Sequence, residues 1–164
     1  ERQKLSNKNI LKLNHPHADK MSIIFRDRYV FEFLDLPEPF NEHDLKKGLI
    51  GKLKKFILEL GRDFIFIGEE YRIIVGVKDF FIDLLFYHRD LQCLVAFELK
   101  TVAFEPEHLG KLNFYLEALD RDVKKPHEHP SIGVLLCKTK DNNAHLVFPP
   151  NGFTLPSRKQ ENLR

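Results

Sequence analysis

Residues 80–100 read FFIDLLFYHRDLQCLVAFELK: two apolar runs separated by the polar break His88-Arg89-Asp90, with Asp83 inside the first run and Glu98 and Lys100 closing the second. A continuous run of Phe, Leu, Ile and Val bounded by turn residues predicts a strand buried on both faces. An ionised side chain in such a strand is costly unless it is paired or holds a metal ion. Because side chains alternate along a strand, Glu98 and Lys100 point to one face while Phe97 and Leu99 point to the other. The spacing of Asp83 and Glu98 allows a hairpin that sets the two carboxylates on adjacent antiparallel strands, where neighbours approach to about 5 Å.

Two carboxylates that close repel each other unless something positive sits between them. A divalent cation such as Mg²⁺ does this, since it accepts a few carboxylates and keeps waters. Lys100 adds a positive group that can orient or help deprotonate a water and steady charge on a phosphate. The alternative is a buried salt bridge, Glu98 to Lys100 or Asp83 to Lys100. Replacing all three residues by apolar ones would often stabilise a sheet, so their joint presence wants a reason beyond stability. The residues alone leave both readings open.

The surrounding chain fits a single packed domain. Its 164 residues suffice for one well-buried core, and a hydrophobic fraction of 43% with 15 Phe supplies that core. Charged residues make up 30% and nearly balance, giving a net charge of +2 that neither demands nor excludes a polyanionic partner. No run approaches the roughly 18 apolar residues of a membrane span, and residues 1–9 lack the apolar stretch of a secretory signal. The expectation is a soluble, cytoplasmic chain without membrane contact. Cys93 and Cys137 lie inside apolar runs and read as reduced, buried thiols.

In order, residues 1–21 read as a linker or N-terminal extension; its His15-Pro16-His17 lacks the nearby acids or thiols of a metal site. Apolar positions in 21–36 recur at helical spacing, and Pro37 and Pro39 end that lead-in. Residues 41–61 predict one helix, with Asn41 as N-cap, Gly61 as terminator and Lys46, Lys47, Lys52, Lys54 and Lys55 as a basic outer side. A solvated face or contact with a phosphate backbone would both explain those lysines. Runs at 64–68, 71–76, 80–87 and 92–100 predict a four-strand antiparallel meander. A helix over 105–120 follows, then a strand at 131–137 that can rejoin the sheet in parallel. His127-Glu128-His129 reads as an exposed turn, 144–148 as a short element, and 149–164 as a loose tail.

Asp83 followed by Glu98-Leu99-Lys100 resembles the D…(D/E)XK motif of the PD-(D/E)XK nuclease superfamily. The wording FFIDLLFYHRDLQCLVAFELK, FEPEHLGKLNFYLEALD and HPSIGVLLCK, with RDRYVFEFLDL earlier, resembles the YhcG-like prokaryotic family over about residues 22–140. That resemblance implies a restriction-endonuclease-like α/β fold with an αβββαβ core, a mixed central sheet flanked by helices, and a nuclease-like domain over 22–148. It implies a Mg²⁺- or Mn²⁺-dependent nuclease acting on DNA, branched or recombination intermediates included, with DNA as partner. Asp83, Glu98 and the Leu99 backbone carbonyl would be metal ligands, and Lys100 would stand beside the attacking water. Lys111, Asn113 and Tyr115 in GKLNFYL would join Lys46 and Arg89 as substrate-binding candidates, with core packing the alternative for Tyr115. Lys46 occupies the first-helix position where family members often carry Glu, which turns attention to Glu42 or Glu70 as an extra acid. It also motivates a second reading, a DNA- or partner-binding module with the nuclease fold and little or no activity. The family's separate N-terminal helical region is missing from this chain, and a homodimer is a further expectation.

Overall fold

A computed structural model describes residues 41–102, 105–137 and 144–147. The lead-in at 21–36, the N-terminal extension and the tail at 149–164 lie outside the described residues.

The first helix begins as its sequence dictates. Asn41 is extended, its side chain accepts the Asp44 N–H at 2.9 Å, and the Asp44 carboxylate accepts the Asn41 N–H at 3.2 Å, a reciprocal capping box. The expected single helix to Gly61 is instead two: α1, Glu42–Gly51, and α2, Leu53–Leu60. The break falls at Lys52 (φ −119°, ψ 35°), whose N–H returns to the Gly48 carbonyl and closes α1. Gly48 and Gly51 lie in that turn, each weakening helix by about 1 kcal/mol relative to Ala. Gly61 then ends α2 at φ 108°, a conformation that favours glycine.

The sheet orders as β1-β2-β3-β4-β5, built from β1 Phe64–Val75, β2 Lys78–His88, β3 Cys93–Lys100, β4 Ile132–Cys137 and β5 Ala144–Val147. The runs at 64–68 and 71–76 are thus one strand, and the expected four-strand meander is a three-strand one. Gly68 marks a register shift against β2, between Phe66 and Gly68, where a turn was expected. β2 and β3 pair antiparallel, with Leu84 opposite Phe97. After helix α3, Pro106–Asp122, β4 joins β3 in parallel as the crossover reading requires, and β5 adds antiparallel to β4. The result is an αβββαβ order in a mixed sheet flanked by helices, with α1 and α2 together filling the first helical position.

Both sheet faces are covered. On one, Leu45, Leu49, Phe56 and Leu60 of α1 and α2 pack on Phe64, Leu84, Phe86 and Phe97. On the other, Leu112, Tyr115, Leu116 and Leu119 of α3 pack on Ile82, Leu85, Leu94 and Ala96. Sandwiched this way, β3 is buried along its whole length except for the half-buried Lys100, which is why its sequence reads as an unbroken apolar run.

One irregularity positions the site. Along β2, Phe80 and Ile82 pack with the α3 face, whereas Leu84 and Phe86 pack with the α1–α2 face. Asp83 sits at that change of phase, and Glu70, with φ 44°, lies between the β1 residues that pair with its neighbours Ile82 and Leu84. The ribbon therefore turns over where the acid is placed.

Gly133 of β4 has its backbone against the buried Leu112 of α3; a Cβ there would lie 2.7 Å from Leu112 Cγ. Gly133→Ala is expected to destabilise the fold by about 1–3 kcal/mol through overpacking. The check is a lower urea midpoint at unchanged slope.

Candidate active site

Asp83 and Glu98 lie one step beyond the Leu84–Phe97 pair, at the end of the β2–β3 ladder. Asp83 is fixed by the neighbouring strand itself: the Leu99 N–H donates to Asp83 Oδ2 at 2.9 Å. Asp83 Oδ1 accepts from the Lys46 ammonium of α1 at 3.2 Å. Lys46 also pairs with Glu70 of β1. The carboxylate of Glu98 is 3% exposed; its Oε1 accepts from Lys111 of α3 at 2.7 Å, while its Oε2 is buried with no hydrogen-bond partner. Lys100 points its ammonium to the Glu42 carboxylate of α1 at 3.4 Å.

The expected neighbours on one strand face thus take partners from helices. Neither the Glu98–Lys100 nor the Asp83–Lys100 salt bridge is the contact formed; Lys111 serves Glu98, Lys46 serves Asp83 and Glu42 serves Lys100. Burial and then the Asp83 charge push the Glu98 carboxyl above its ordinary value of 4.5, outweighing the pull of Lys111 and Lys100. On Lys111, burial acts to lower the pKa, but the hydrogen bond and charge of Glu98 raise it on balance, so this ammonium stays charged.

The cluster gathers Asp83, Glu98, Lys100, Lys46, Lys111, Glu42 and Glu70. Tyr115 is 3% exposed, packed in the α3 core, with the Lys111 ammonium 5.5 Å above its ring. Its ring supports the lysine that supports Glu98. Asn113 has a buried side-chain oxygen without a partner. Arg89 is not brought to the cluster: it follows the far end of β2, about 20 Å along the strand from Asp83, and lies 3.9 Å from Asp63. The pairing of Lys46 with Glu70 and Asp83 was not visible from spacing, because it joins α1, β1 and β2 through a long flexible side chain.

Among the described residues no three His, Cys, Asp or Glu are grouped to hold a metal by themselves. Magnesium needs fewer, since it is commonly held by one or two carboxylates and retains water for the rest. Asp83 and Glu98 supply two oxygen-donor side chains, and the orphaned Glu98 Oε2 is a buried acceptor with nothing to accept from. The donor set fits a hard divalent cation. No helix among the described residues is long and apolar enough to cross a membrane.

Residues 22–148 match the family model described as the YhcG PDDEXK nuclease domain. Over 115 residues the chain is 41% identical to "Putative nuclease YhcG" of Escherichia coli (strain K12), a match covering 70% of this chain and 31% of that protein. The chain thus spans about a third of that relative's length. Among solved structures, it is similar to a repair endonuclease from Pyrococcus abyssi, with a TM-score of 0.43 and 18% identity over 62% of this chain and 40% of that one.

The upward shift of Glu98 has a consequence for stability. A carboxyl whose folded pKa is raised contributes stability that is present below the unfolded value, here 4.5, and lost as pH rises through the folded value. Glu98→Gln removes that loss. In metal-free buffer its thermal midpoint should exceed that of the unaltered protein at pH 8, and the gain should vanish by about pH 4. A gain equal at both pH values would show that Glu98 does not titrate as its burial requires.

Proposed function

The chain belongs to the YhcG PDDEXK nuclease domain family, and on that premise we propose that it hydrolyses phosphodiester bonds of DNA with Mg²⁺ or Mn²⁺, at a site made by Asp83, Glu98 and Lys100. The observation that carries the proposal is Glu98: a carboxylate buried in a central strand, beside Asp83, with one oxygen left unpartnered. Asp83, Glu98 and the Leu99 carbonyl would hold the cation. When bound, it would neutralise charge on the scissile phosphate and its leaving oxygen and make water a better nucleophile.

The chain's own residues do the positioning. The Leu99 N–H locks Asp83 in one rotamer, so the acid pair is set before a substrate arrives. Lys111, about half exposed, keeps its ammonium at Glu98 and presents the rest of its charge toward solvent, where a phosphate oxygen can meet it. Lys100, two residues beyond Glu98 on the same face of β3, would orient water and steady charge on phosphate, with Glu42 as the acceptor for its ammonium. Exposed Lys47, Lys54 and Lys55 on α1 and α2 offer sequence-independent contacts to a nucleic-acid backbone. Arg89 could join only on a substrate long enough to run the length of β2. Branched or recombination intermediates are among the DNA forms this reading includes, and because this chain covers 31% of its relative, the rest of such a protein would contribute to that choice.

A second reading rests on Lys46. Its ammonium engages Asp83, so a domain that binds DNA and cuts slowly or not at all is the alternative. The two readings part in one experiment, cleavage of plasmid, linear and branched DNA with Mg²⁺ or Mn²⁺ by the intact chain, Glu98→Ala and Lys100→Ala. The nuclease reading expects metal-dependent cleavage that falls at least about 100-fold in each variant. Equal cleavage by all three proteins would remove the site assignment. Salt-sensitive DNA binding without turnover in either metal would favour the binding module.

A further inference from the structure

The two acids of the site are not equally free. Asp83 uses both oxygens, Oδ2 for the Leu99 N–H and Oδ1 for the Lys46 ammonium. Glu98 uses only Oε1, for Lys111, and keeps Oε2 open. A cation shared between them can take Glu98 Oε2 as it stands, but reaches Asp83 Oδ1 only in place of an ammonium.

We infer that Lys46 is a built-in competitor for the metal: it holds Asp83 in the metal-free protein and withdraws onto Glu70 when a divalent cation binds. This rests on the reading of Asp83 and Glu98 as a metal-holding pair. Glu70 is what makes the exchange feasible. It already pairs with Lys46, lies 47% exposed on β1, and carries no other hydrogen bond or ion pair among the contacts of the described site. A displaced ammonium therefore remains paired and partly hydrated, whereas expelling it into an apolar environment would be costly. Lys111 is not a competitor of this kind, because its bond leaves the second Glu98 oxygen available. Lys46 then sets the divalent concentration at which the site fills, with Glu70 as its resting place.

Mn²⁺ titration by calorimetry tests this without measuring activity, using the intact chain, Lys46→Met, Glu70→Gln, the double variant and Asp83→Asn. Lys46→Met should bind Mn²⁺ at least about tenfold more tightly, the worth of a charge-assisted hydrogen bond that no longer has to be broken. Glu70→Gln should bind severalfold more weakly, because the displaced lysine has lost its acceptor. That weakening should disappear in the double variant, since without Lys46 there is nothing for Glu70 to receive. Midpoints measured with chelator confirm that each variant is folded. Unchanged or weaker binding by Lys46→Met, with binding lost in Asp83→Asn, overturns the competitor role and leaves the metal pair standing. The same Glu70→Gln effect with and without Lys46 overturns the exchange, reducing it to a general loss of negative charge. Absence of Mn²⁺ binding in every protein of the set overturns the metal pair and the inference with it.

Discussion

The bond from the Leu99 N–H to Asp83 Oδ2 is the constraint around which the site is assembled. It joins two adjacent strands by a side chain just past their last backbone pair, Leu84 with Phe97, and so fixes where the acid of β2 stands relative to the acid of β3. Its existence depends on the turnover of the β1–β2 ribbon at Asp83 and Glu70, since a regular strand would keep Ile82 and Leu84 on one face. That turnover depends in turn on helices on both sides of the sheet, each needing its own apolar row. A locally irregular strand and a globally two-sided core are the same fact seen at two scales.

Around that bond, ammonium groups from three elements answer the carboxylates: Lys46 from α1 at Asp83, Lys111 from α3 at Glu98, and Lys100 from β3 at Glu42. Such pairing explains how the sheet tolerates a buried Glu98, because an uncompensated charge there would be strongly destabilising. It does not make the cluster a source of stability, since desolvation offsets most of what the pairs contribute. The pull on Glu98 away from the ionised state is the residue of that imbalance.

Much of this was readable beforehand where burial leaves a mark on composition. The β2 and β3 strands announced themselves as greasy runs, and Asp83, Glu98 and Lys100 stood out because charges are rare in such runs. The parallel return of β4 followed from a helix standing between two strands. Two local features misled for a shared reason: glycine signals a change of backbone direction without saying which kind. Gly68 produced a register shift inside one strand instead of a turn between two, and the Gly48–Gly51 segment broke a helix that its periodicity carries straight through. The pairings of Lys46 and Lys111 with the two acids had no signature, as spacing in sequence reflects only how distant elements pack; both lysines entered as site candidates through family resemblance, not through pattern.

The remaining question is why a site that sets three ammonium groups against four carboxylates should leave one buried oxygen unmatched. A sheet under selection for stability alone would replace Asp83, Glu98 and Lys100 by apolar residues of similar volume. One selected for a permanent ion-pair network would satisfy every buried acceptor, because a partly satisfied network is worse than an apolar core. Glu98 Oε2 fits neither case. On the proposed metal-holding role it is what remains when a buried carboxylate is compensated enough to fold without a ligand, yet kept open toward one, and the lysine bound to Asp83 would then make the opening conditional on a cation strong enough to displace it.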